Sequence, residues 1–372
     1  MKEPNIRKIL VPIDFSKMSI QAIETTKRLA RRFEASIHLA HVRQFDYLVG
    51  LMAPPPFAPF PVTNYNKEEE KRIAGQLNGL ANKYGLSSKS CHFLRGAPAF
   101  DEICRLAYKI SADLIVTSTH GHTGLKRAFL GSTAERVVQH SPCPVFVARQ
   151  TRRQSKESAL SINTILVPVD FSGCSLEGLT YAISVANKFA AKIILLHAVP
   201  LGYAYTSDGY AMYDLSVIKD TVRKDAERQM QAFVKAAKFG GAKFETVITI
   251  GSPVTEICAF AQDHNVDLII TSTHGRTGFK HVLIGSTAEH VVRNAPCSVM
   301  VVPSHPSIRT ANLTRGPERV RRTKGQIAKK KTPRVSVEKE NCTRNYRKLI
   351  AHPFPERRKT NKFRETHAHN GR

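Results

Sequence analysis

The sequence predicts two tandem α/β domains, each with an open five-stranded parallel sheet and helices on both faces, followed by a disordered basic tail. Residues 117–149 return as residues 271–303, at an offset of 154 positions and without a gap. Within each copy, short apolar runs alternate with amphipathic stretches, which is typical of strands and helices in a parallel sheet. After residue 303 the apolar pattern stops and cations dominate.

The repeat divides the 372 residues into a first domain over 1–150, a linker over 151–161, a second domain over 162–303 and a tail over 304–372. Each repeated unit is close to the common size of a single domain and is long enough for its own core. A repeat of this length indicates a duplicated domain, since the units of solenoid proteins are much shorter.

The first copy opens with Lys8–Ile13, a short β-branched run that predicts a buried strand. Apolar residues then recur at helical spacing over residues 19–33, with cations on the other face. The remaining pattern predicts strands over 36–42, 90–94, 113–117 and 144–148, and helices over about 66–84, over 99–111 and from residue 132.

The second copy repeats this order. Its predicted strands lie near residues 164–169, 192–199, 244–250, 267–271 and 299–302. A Pro-rich loop follows the second strand of the first copy, whereas the matching loop of the second copy, from Pro200 to about Ser216, is rich in Tyr and Gly. The two copies differ most in this surface connection, as expected for a loop.

Composition excludes several classes of protein. The chain has seven cysteines, an odd number, and no CxxC pair, which argues against a disulfide framework and against a zinc site. No apolar run approaches the ~20 residues that span a bilayer. The first residues lack the long apolar segment of a secretory signal, so we expect a cytoplasmic location.

Charge is concentrated in the tail. The net charge of the whole chain is +26, and residues 304–372 hold 20 Lys/Arg against 5 Asp/Glu. Tyr346, Phe354 and Phe363 are interleaved with these cations. The composition predicts disorder. It is compatible with nonspecific nucleic-acid contact through phosphates and stacked bases, and equally with a solvated tail that binds nothing.

The best-repeated polar residues follow the first and fourth strands of each copy. Ligands of open parallel sheets bind beyond the carboxyl ends of the strands, where the strand order reverses. Glycines then lead into a helix whose N-terminus favours an anion. The alternative for Ser132 is helix capping, because Glu135 follows three residues later in a capping-box pattern, as Glu289 follows Ser286. Neither GxxxxGK[ST] nor GxGxxG is present.

The chain resembles tandem domains of the universal stress protein family, a group with Rossmann-like folds related to adenine-nucleotide α-hydrolases. The resemblance covers about residues 6–149 and 162–303. It is carried by VPIDFS and VPVDFS after the first strand of each copy, and by PCPVFV and PCSVMV at the end. Relatives that bind ATP carry the pattern G-x2-G-x9-G-[S/T]. Both copies match it except at the first glycine, which is Ser118 or Ser272.

The resemblance implies an adenine-nucleotide site in each domain, for ATP or for ADP or AMP, with or without Mg²⁺. It places Pro12 and Pro168 under the base, Asp14 and Asp170 by the ribose or adenine, Val42 and Val199 against adenine, and Gly96 and Gly251 near the ribose. It assigns the phosphates to Gly121, Gly131, Ser132 and Thr133, and to Gly275, Gly285, Ser286 and Thr287. Ser16 and Ser172, after the first strand, are expected to line the same crevice, where the hydroxyls of Ser118 and Ser272 would either crowd a phosphate or hydrogen-bond to it. For Asp14 the alternative is a strand-end turn or helix cap.

These residues supply an anion cradle and one aspartate, which suits binding better than turnover. We therefore expect a nucleotide-responsive stress or regulatory protein, with no catalytic residue and no metal site assigned. One alternative is a slow ATPase or nucleotidyl-transfer enzyme. A second is a dimerisation scaffold that binds no nucleotide and uses its basic tail.

Domains of this family commonly pair through their last strand, which here is 145–148 or 299–302. An apolar edge strand requires a partner or a cover. Two arrangements satisfy this requirement, namely pairing of the two copies within one chain and pairing between chains in a homodimer.

Overall fold

The computed structural model describes residues 4–44, 67–118, 130–149, 161–200, 215–237, 239–273 and 284–303. Several predictions fall wholly or in large part outside these residues. They concern the loop after the second strand in each copy, Gly121 and Gly275, the linker and the tail. Along the described part of the chain, no helix is both long and apolar enough to span a membrane.

Domain 1 follows the predicted order of elements, with ends that shift by one to three residues. Its first helix begins two residues earlier than predicted, because Ser16 caps it by accepting a hydrogen bond from the Ser19 backbone N–H. The elements are β1 (Lys8–Pro12), α1 (Lys17–Phe33), β2 (Ser36–Arg43), α2 (Lys67–Lys83), β3 (Cys91–Arg95), α3 (Ala99–Lys109), β4 (Leu114–Ser118), α4 (Ser132–His140) and β5 (Val145–Ala148).

Domain 2 repeats the same order with the same kind of cap, in which Ser172 accepts from the Ser175 N–H. Its elements are β6 (Thr164–Pro168), α5 (Gly173–Phe189), β7 (Lys192–Val199), α6 (Leu215–Ala236), β8 (Phe244–Ile250), α7 (Pro253–Asp263), β9 (Leu268–Ser272), α8 (Ser286–Asn294) and β10 (Ser298–Val302).

All ten strands form one sheet in the order β3-β2-β1-β4-β5-β10-β9-β6-β7-β8. Pairing is parallel within each domain and antiparallel between β5 and β10. Phe146 lies opposite Met300, its own counterpart in the repeat. The last strands of the two copies therefore pair within one chain, one of the two arrangements that the sequence left open.

The sheet separates two layers of core. Residues of α1, α2, α5 and α6 pack on one face, and residues of α3, α4, α7 and α8 pack on the other. Strand residues alternate between the faces, as the pleat requires. Ile9 and Val11 belong to the first layer, whereas Leu10 belongs to the second, and all three are fully buried. Both layers run across the two domains, so the seam between β5 and β10 lies inside a shared core.

Polar contacts reinforce this seam on one side. The Arg149 backbone N–H donates to Ser298 Oγ at 3.1 Å. Its guanidinium Nη2 donates to the carbonyl oxygens of Val292 and Arg293 at 3.2 and 2.9 Å, at the C-terminus of α8. Arg293 in turn donates to Glu135 Oε1 at 2.7 Å. A cation at a helix C-terminus is favourable because the last carbonyls carry partial negative charge.

An aspartate fixes the start of the first strand in each domain. Asp113 Oδ2 accepts from the backbone N–H groups of Arg7 and Lys8 at 2.9 Å each. In domain 2, Asp267 Oδ2 accepts from Asn163 and Thr164 at 2.8 and 3.0 Å. This clamp joins β1 to β4 and β6 to β9, the strand pairs between which the order reverses.

Two cysteines at equivalent positions, Cys143 and Cys297, are buried before the last strand of each domain. Burial raises the pKa of each thiol to about 12. The thiolate is the reactive form of cysteine, so both side chains act as small apolar groups of the core.

Candidate functional site

The candidate sites lie at the carboxyl ends of β1 and β4 in domain 1, and of β6 and β9 in domain 2. In each pair the strands are parallel neighbours. In domain 1, β2 and β3 lie beyond β1 on one side, and β5 lies beyond β4 on the other. This reversal leaves a crevice between the two connections, the usual place for a ligand in an open α/β sheet.

A cavity of about 370 Å³ occupies this crevice in domain 1. Cavities that hold small ligands commonly have volumes of about 300–1,000 Å³. Asp14 is the one carboxylate among the described residues that line it. The residues expected at the site that line it are Pro12, Asp14, Val42, Ser118, Gly131, Ser132 and Thr133.

Domain 2 has a cavity of about 430 Å³ in the same place. Within the described part of the chain, Asp170 is again the one carboxylate in its wall. The expected residues that line it are Pro168, Asp170, Ser272, Gly285, Ser286 and Thr287. The structure thus brings together, in each domain, residues that lie more than a hundred positions apart in the sequence.

The helices that start in the two cavities, α4 and α8, have glycine as their N-cap residue. The caps are Gly131 and Gly285, and within the described residues neither helix start has a side-chain capping hydrogen bond. The Glu135 backbone N–H bonds to the Gly131 carbonyl at 2.9 Å, which fixes glycine as the cap. The capping interpretation of Ser132 and Ser286 is therefore wrong, because both already lie inside the helix.

The two glutamates of the expected capping boxes serve another contact. Glu135 and Glu289 each accept from the Arg293 guanidinium, at 2.7 and 3.0 Å. They lie one position too far along the helix to reach back to the cap. In the part of the chain that the structure describes, no capping side chain therefore competes for the first-turn N–H groups of α4 and α8, which border the cavities.

Space beside the second helix start is limited by backbone. The Gly285 N–H donates to the Thr273 carbonyl at 2.6 Å. A Cβ on Gly285 would lie 3.4 Å from that carbonyl oxygen. Glycine thus lets the backbone at position 285 approach the backbone beside the end of β9 closely.

The two cavity aspartates also have a structural role. Asp14 Oδ1 accepts from the Ser16 backbone N–H at 3.0 Å, and Asp170 Oδ1 accepts from the Ser172 N–H at 3.1 Å and from the Ser172 hydroxyl at 2.6 Å. These bonds shape the turn between the first strand and first helix of each domain. The turn and the cavity lining are compatible, because each aspartate both orders its turn and lies in the cavity wall.

Five expected residues do not line the cavities. Ser16 and Ser172 are the N-caps of α1 and α5. Gly96 and Gly251 lie beneath the side chains of Glu102 and Glu256, which a Cβ at either glycine would meet too closely. The Val199 carbonyl accepts from the Gly251 N–H, and the Arg43 carbonyl accepts from the Gly96 N–H. The counterpart of Val199 in domain 1 is therefore Arg43. The counterpart of Val42 is Ala198, which lines the cavity.

A repeated histidine behind each aspartate turn was missed by sequence reasoning. His41 Nδ1 lies 2.7 Å from the Ile13 carbonyl oxygen, and His197 Nδ1 lies 2.7 Å from that of Val169. A carbonyl only accepts, so Nδ1 carries the proton in both rings. The signal was present in the sequence, because both histidines stand 28 residues after the residue whose carbonyl they bind.

Each histidine also contacts the phenylalanine that follows its aspartate. The ring centroids of Phe15 and His41 are 4.8 Å apart, and those of Phe171 and His197 are 4.2 Å apart. Phe15 and Phe171 have φ of 61° and 64°, a conformation uncommon outside glycine. The histidine therefore stabilises a turn in which phenylalanine has an unfavourable backbone conformation. This turn places the aspartate in the cavity wall.

Fold and cavities together define a tandem α/β protein in which a helix starts in a cavity at the switch point of each domain. Comparison with known proteins identifies the family. The model of the universal stress protein family matches residues 5–149 and again residues 161–303. The chain belongs to the universal stress protein family.

Individual relatives agree with this assignment. The universal stress protein MJ0531 of Methanocaldococcus jannaschii is 33% identical over 138 residues, which are 37% of this chain and 80% of the relative. Among solved structures, a universal stress protein of Archaeoglobus fulgidus shares 20% identity with a TM-score of 0.53, over 80% of this chain and 96% of that one. A putative universal stress protein of Pseudomonas aeruginosa shares 18% identity with a TM-score of 0.56, over 84% of this chain and 97% of that one.

Proposed function

We propose that each domain binds an adenine nucleotide in its switch-point cavity, and that the chain acts as a nucleotide-responsive regulatory module of the stress response. The observation that carries the proposal is that α4 and α8 each start at a cavity with a glycine N-cap and, among the described residues, without a side-chain capping hydrogen bond. Backbone N–H groups and the helix dipole at such a point favour phosphate.

The donors around each helix start fit phosphate oxygens. Ser132 and Thr133 in domain 1, and Ser286 and Thr287 in domain 2, add hydroxyl donors beside the first-turn N–H groups. Ser118 and Ser272 stand at the strand ends across the cavity, where the resemblance places phosphate as well. Gly121 and Gly275 are assigned to the same phosphates by the family pattern, and Mg²⁺ would accompany the nucleotide as its counter-ion.

The opposite wall of each cavity suits the nucleoside. Pro12 and Val42 in domain 1, and Pro168 and Ala198 in domain 2, offer apolar surface for the base. Asp14 and Asp170 are placed to accept from a ribose hydroxyl or an exocyclic amine. Among the described lining residues, no second carboxylate or imidazole pairs with these aspartates to form a general base for hydrolysis in domain 2, and in domain 1 the only imidazole, that of His41, is engaged with a backbone carbonyl.

The test is calorimetric titration of Mg-ATP into the full chain and into the variant Ser132→Asp/Ser286→Asp. A carboxylate at the first helical position favours the helix dipole, so the variant is expected to keep its thermal stability. The same carboxylate repels phosphate at about 4 Å by roughly 4 kcal/mol, which predicts an affinity loss of a hundredfold or more. The isosteric variant Ser132→Asn/Ser286→Asn separates charge from shape and is expected to retain binding.

Saturable binding that the Asp variant loses and the Asn variant keeps would support the proposal. Binding of equal strength in the chain and in the Asp variant would contradict it and would point to attraction by the basic tail. Release of inorganic phosphate, followed in the same samples, distinguishes a slow ATPase from a binding module.

A further inference from the structure

Two histidines of domain 1 form a hydrogen-bonded pair on the sheet, away from the nucleotide cavity. His38 on β2 and His92 on β3 approach with Nδ1 of the first 3.0 Å from Nε2 of the second. Their rings are stacked, with centroids 5.3 Å apart and planes inclined by 21°. Both side chains are partly buried, on the sheet face that α3 covers.

The geometry limits how many protons the pair holds. A bond between two ring nitrogens requires one N–H and one lone pair. Two neutral rings satisfy it, and so does one neutral ring with one imidazolium. Two imidazolium rings leave no acceptor and place like charges in contact.

The surroundings disfavour a second positive charge. Lys8 of β1 acts on His38 and Lys109 of α3 acts on His92, and both are cationic. Burial first, and then these neighbours, lower the pKa of both histidines. The carboxylate of Asp113 lies at the start of β4 and is bonded to the backbone N–H groups of Arg7 and Lys8.

A metal ion is a poor occupant for the pair. Within the part of the chain that the structure describes, no third histidine, cysteine or carboxylate joins the two rings to make a metal-binding group. The flanking lysines repel a cation. The pair is therefore suited to protons rather than to metal.

Domain 2 provides the natural comparison. Leu10 pairs with His38 in domain 1, and its counterpart Leu166 pairs with Ile194. Ala40 pairs with His92, and its counterpart Leu196 pairs with Val247. The same two positions are thus apolar in domain 2, so the sheet tolerates both choices.

The pair joins the edge strand to the sheet. Among the strands in the described residues, β3 is the outermost of domain 1 and pairs with β2 alone. Its far end leads to Gly96, whose N–H donates to the Arg43 carbonyl at the end of β2. Val42, the residue before Arg43, lies in the wall of the nucleotide cavity.

We propose that His38 and His92 form an acid-sensitive latch, in which protonation of both rings releases edge strand β3 from β2 in domain 1 and leaves domain 2 unchanged. The direction follows from linkage. The pKa of each histidine is lower in the folded chain than in the unfolded chain, so the unfolded chain binds protons first. Stability of this region is fully present above the ordinary histidine pKa of about 6.5 and is lost as the pH falls below it.

The test is backbone amide hydrogen exchange of the full chain at pH 7.5 and 5.5, corrected for intrinsic rates. β8, the edge strand of domain 2, serves as the internal reference. We expect protection of β3 relative to β8 to fall severalfold at the lower pH, because the open form binds protons that the closed pair excludes. In the variant His38→Ile/His92→Val, which carries the residues of domain 2, the ratio is expected not to change with pH.

Equal loss of protection in β3 and β8, or a variant that keeps the acid response, would overturn the proposal. A second measurement covers the case in which the double variant fails to fold. Imidazole ¹⁵N shifts of the unmodified chain report the charge of each ring. The proposal predicts that the second protonation coincides with β3 opening, and two independent titrations near the ordinary pKa with β3 still protected would contradict it.

Discussion

Domain 1 and domain 2 have the same strand order and the same cavity, but they carry different charge. Residues 1–150 contain 21 Lys/Arg and 12 Asp/Glu, a net charge of +9, whereas residues 162–303 contain 12 of each, a net charge of zero. A positive field attracts an anionic ligand and speeds its association. Two cavities with matching walls therefore lie in domains with different electrostatic fields.

The domains also differ at three positions where the repeat is broken. The His38–His92 pair of domain 1 corresponds to Ile194 and Val247, and Arg149 after β5 corresponds to Pro303 after β10. By contrast, the aspartate turn with its histidine, the glycine N-cap and the clamp on the first strand recur in both. The recurring features are those that shape the cavity. The histidine pair and the arginine after β5 belong to domain 1 alone.

The largest expected effect comes from the seam, where the two domains share one core. Phe146→Ala is expected to destabilise the chain by about 4 kcal/mol and Met300→Ala by about 3 kcal/mol, as for other large apolar side chains truncated in a core. Each residue is about 1% exposed. Circular dichroism during urea denaturation is expected to show a single transition that both substitutions lower. Two transitions, of which only one moves, would mean that the domains unfold independently.

A smaller effect is expected where the seam is asymmetric. Arg149→Ala removes the two hydrogen bonds to the carbonyls of Val292 and Arg293 and is expected to cost about 2 kcal/mol, since hydrogen bonds of charged groups exceed neutral ones. The matched control is Pro303→Ala at the equivalent position of domain 2, for which a smaller loss is expected because the proline side chain donates no hydrogen bond. Thermal denaturation measures the stability of both variants. Equal losses of stability would show that the contacts of Arg149 do not make the seam asymmetric.

The charge difference predicts unequal nucleotide sites. Ser286→Asp leaves the site of domain 1 intact, and Ser132→Asp leaves that of domain 2. In calorimetry at low salt, the site of domain 1 is expected to bind Mg-ATP about tenfold more tightly, because its domain is cationic. The gap is expected to close in about 0.5 M salt, where screening is strong. A difference in affinity that persists in high salt would mean that contacts within the cavities cause it, and not the electrostatic fields of the two domains.

The smallest effect concerns the histidines behind the aspartate turns. His41→Ala and His197→Ala each remove one hydrogen bond worth about 1 kcal/mol, so nucleotide affinity is expected to fall severalfold and equally in the two domains. Asparagine at the same position offers an N–H donor and is expected to restore part of the loss. Calorimetry of each variant, with the other site blocked by its Ser→Asp change, measures the effect. No change in either domain would show that the turn holds its shape without the histidine.

Much of the site was predictable because its residues belong to short sequence motifs that recur at the strand ends of both copies. Asp14 and Ser118 follow apolar runs, and their juxtaposition follows from a parallel sheet in which strands one and four are neighbours. Val199 shows the limit. The offset between the copies is 156 positions in the first two strands and 154 in the last block. The offset of 156 makes Ala198, and not Val199, the counterpart of Val42, and the strand register agrees with it.

The helix start in each cavity marks a second limit. Serine is preferred over glycine as an N-cap, and the glutamate spacing reinforced that interpretation. The structure instead gives the cap to Gly131 and Gly285, and in domain 2 the Gly285 N–H bonds to the Thr273 carbonyl beside the end of β9. Exchanging serine for glycine at an N-cap costs roughly a few tenths of a kcal/mol, so one backbone hydrogen bond outweighs the preference.

The sequence by itself determined the duplication, the alternation of strands and helices, and the polar residues at the strand ends, because periodicity and local spacing encode these features directly. The tertiary structure alone decided that β5 and β10 pair within the chain, which backbone caps α4 and α8, and that His38 meets His92. The pairing of β5 with β10 and the contact of His38 with His92 depend on the distance between segments far apart in the sequence. Such distances are set by sheet register and shared core packing, which no local pattern contains.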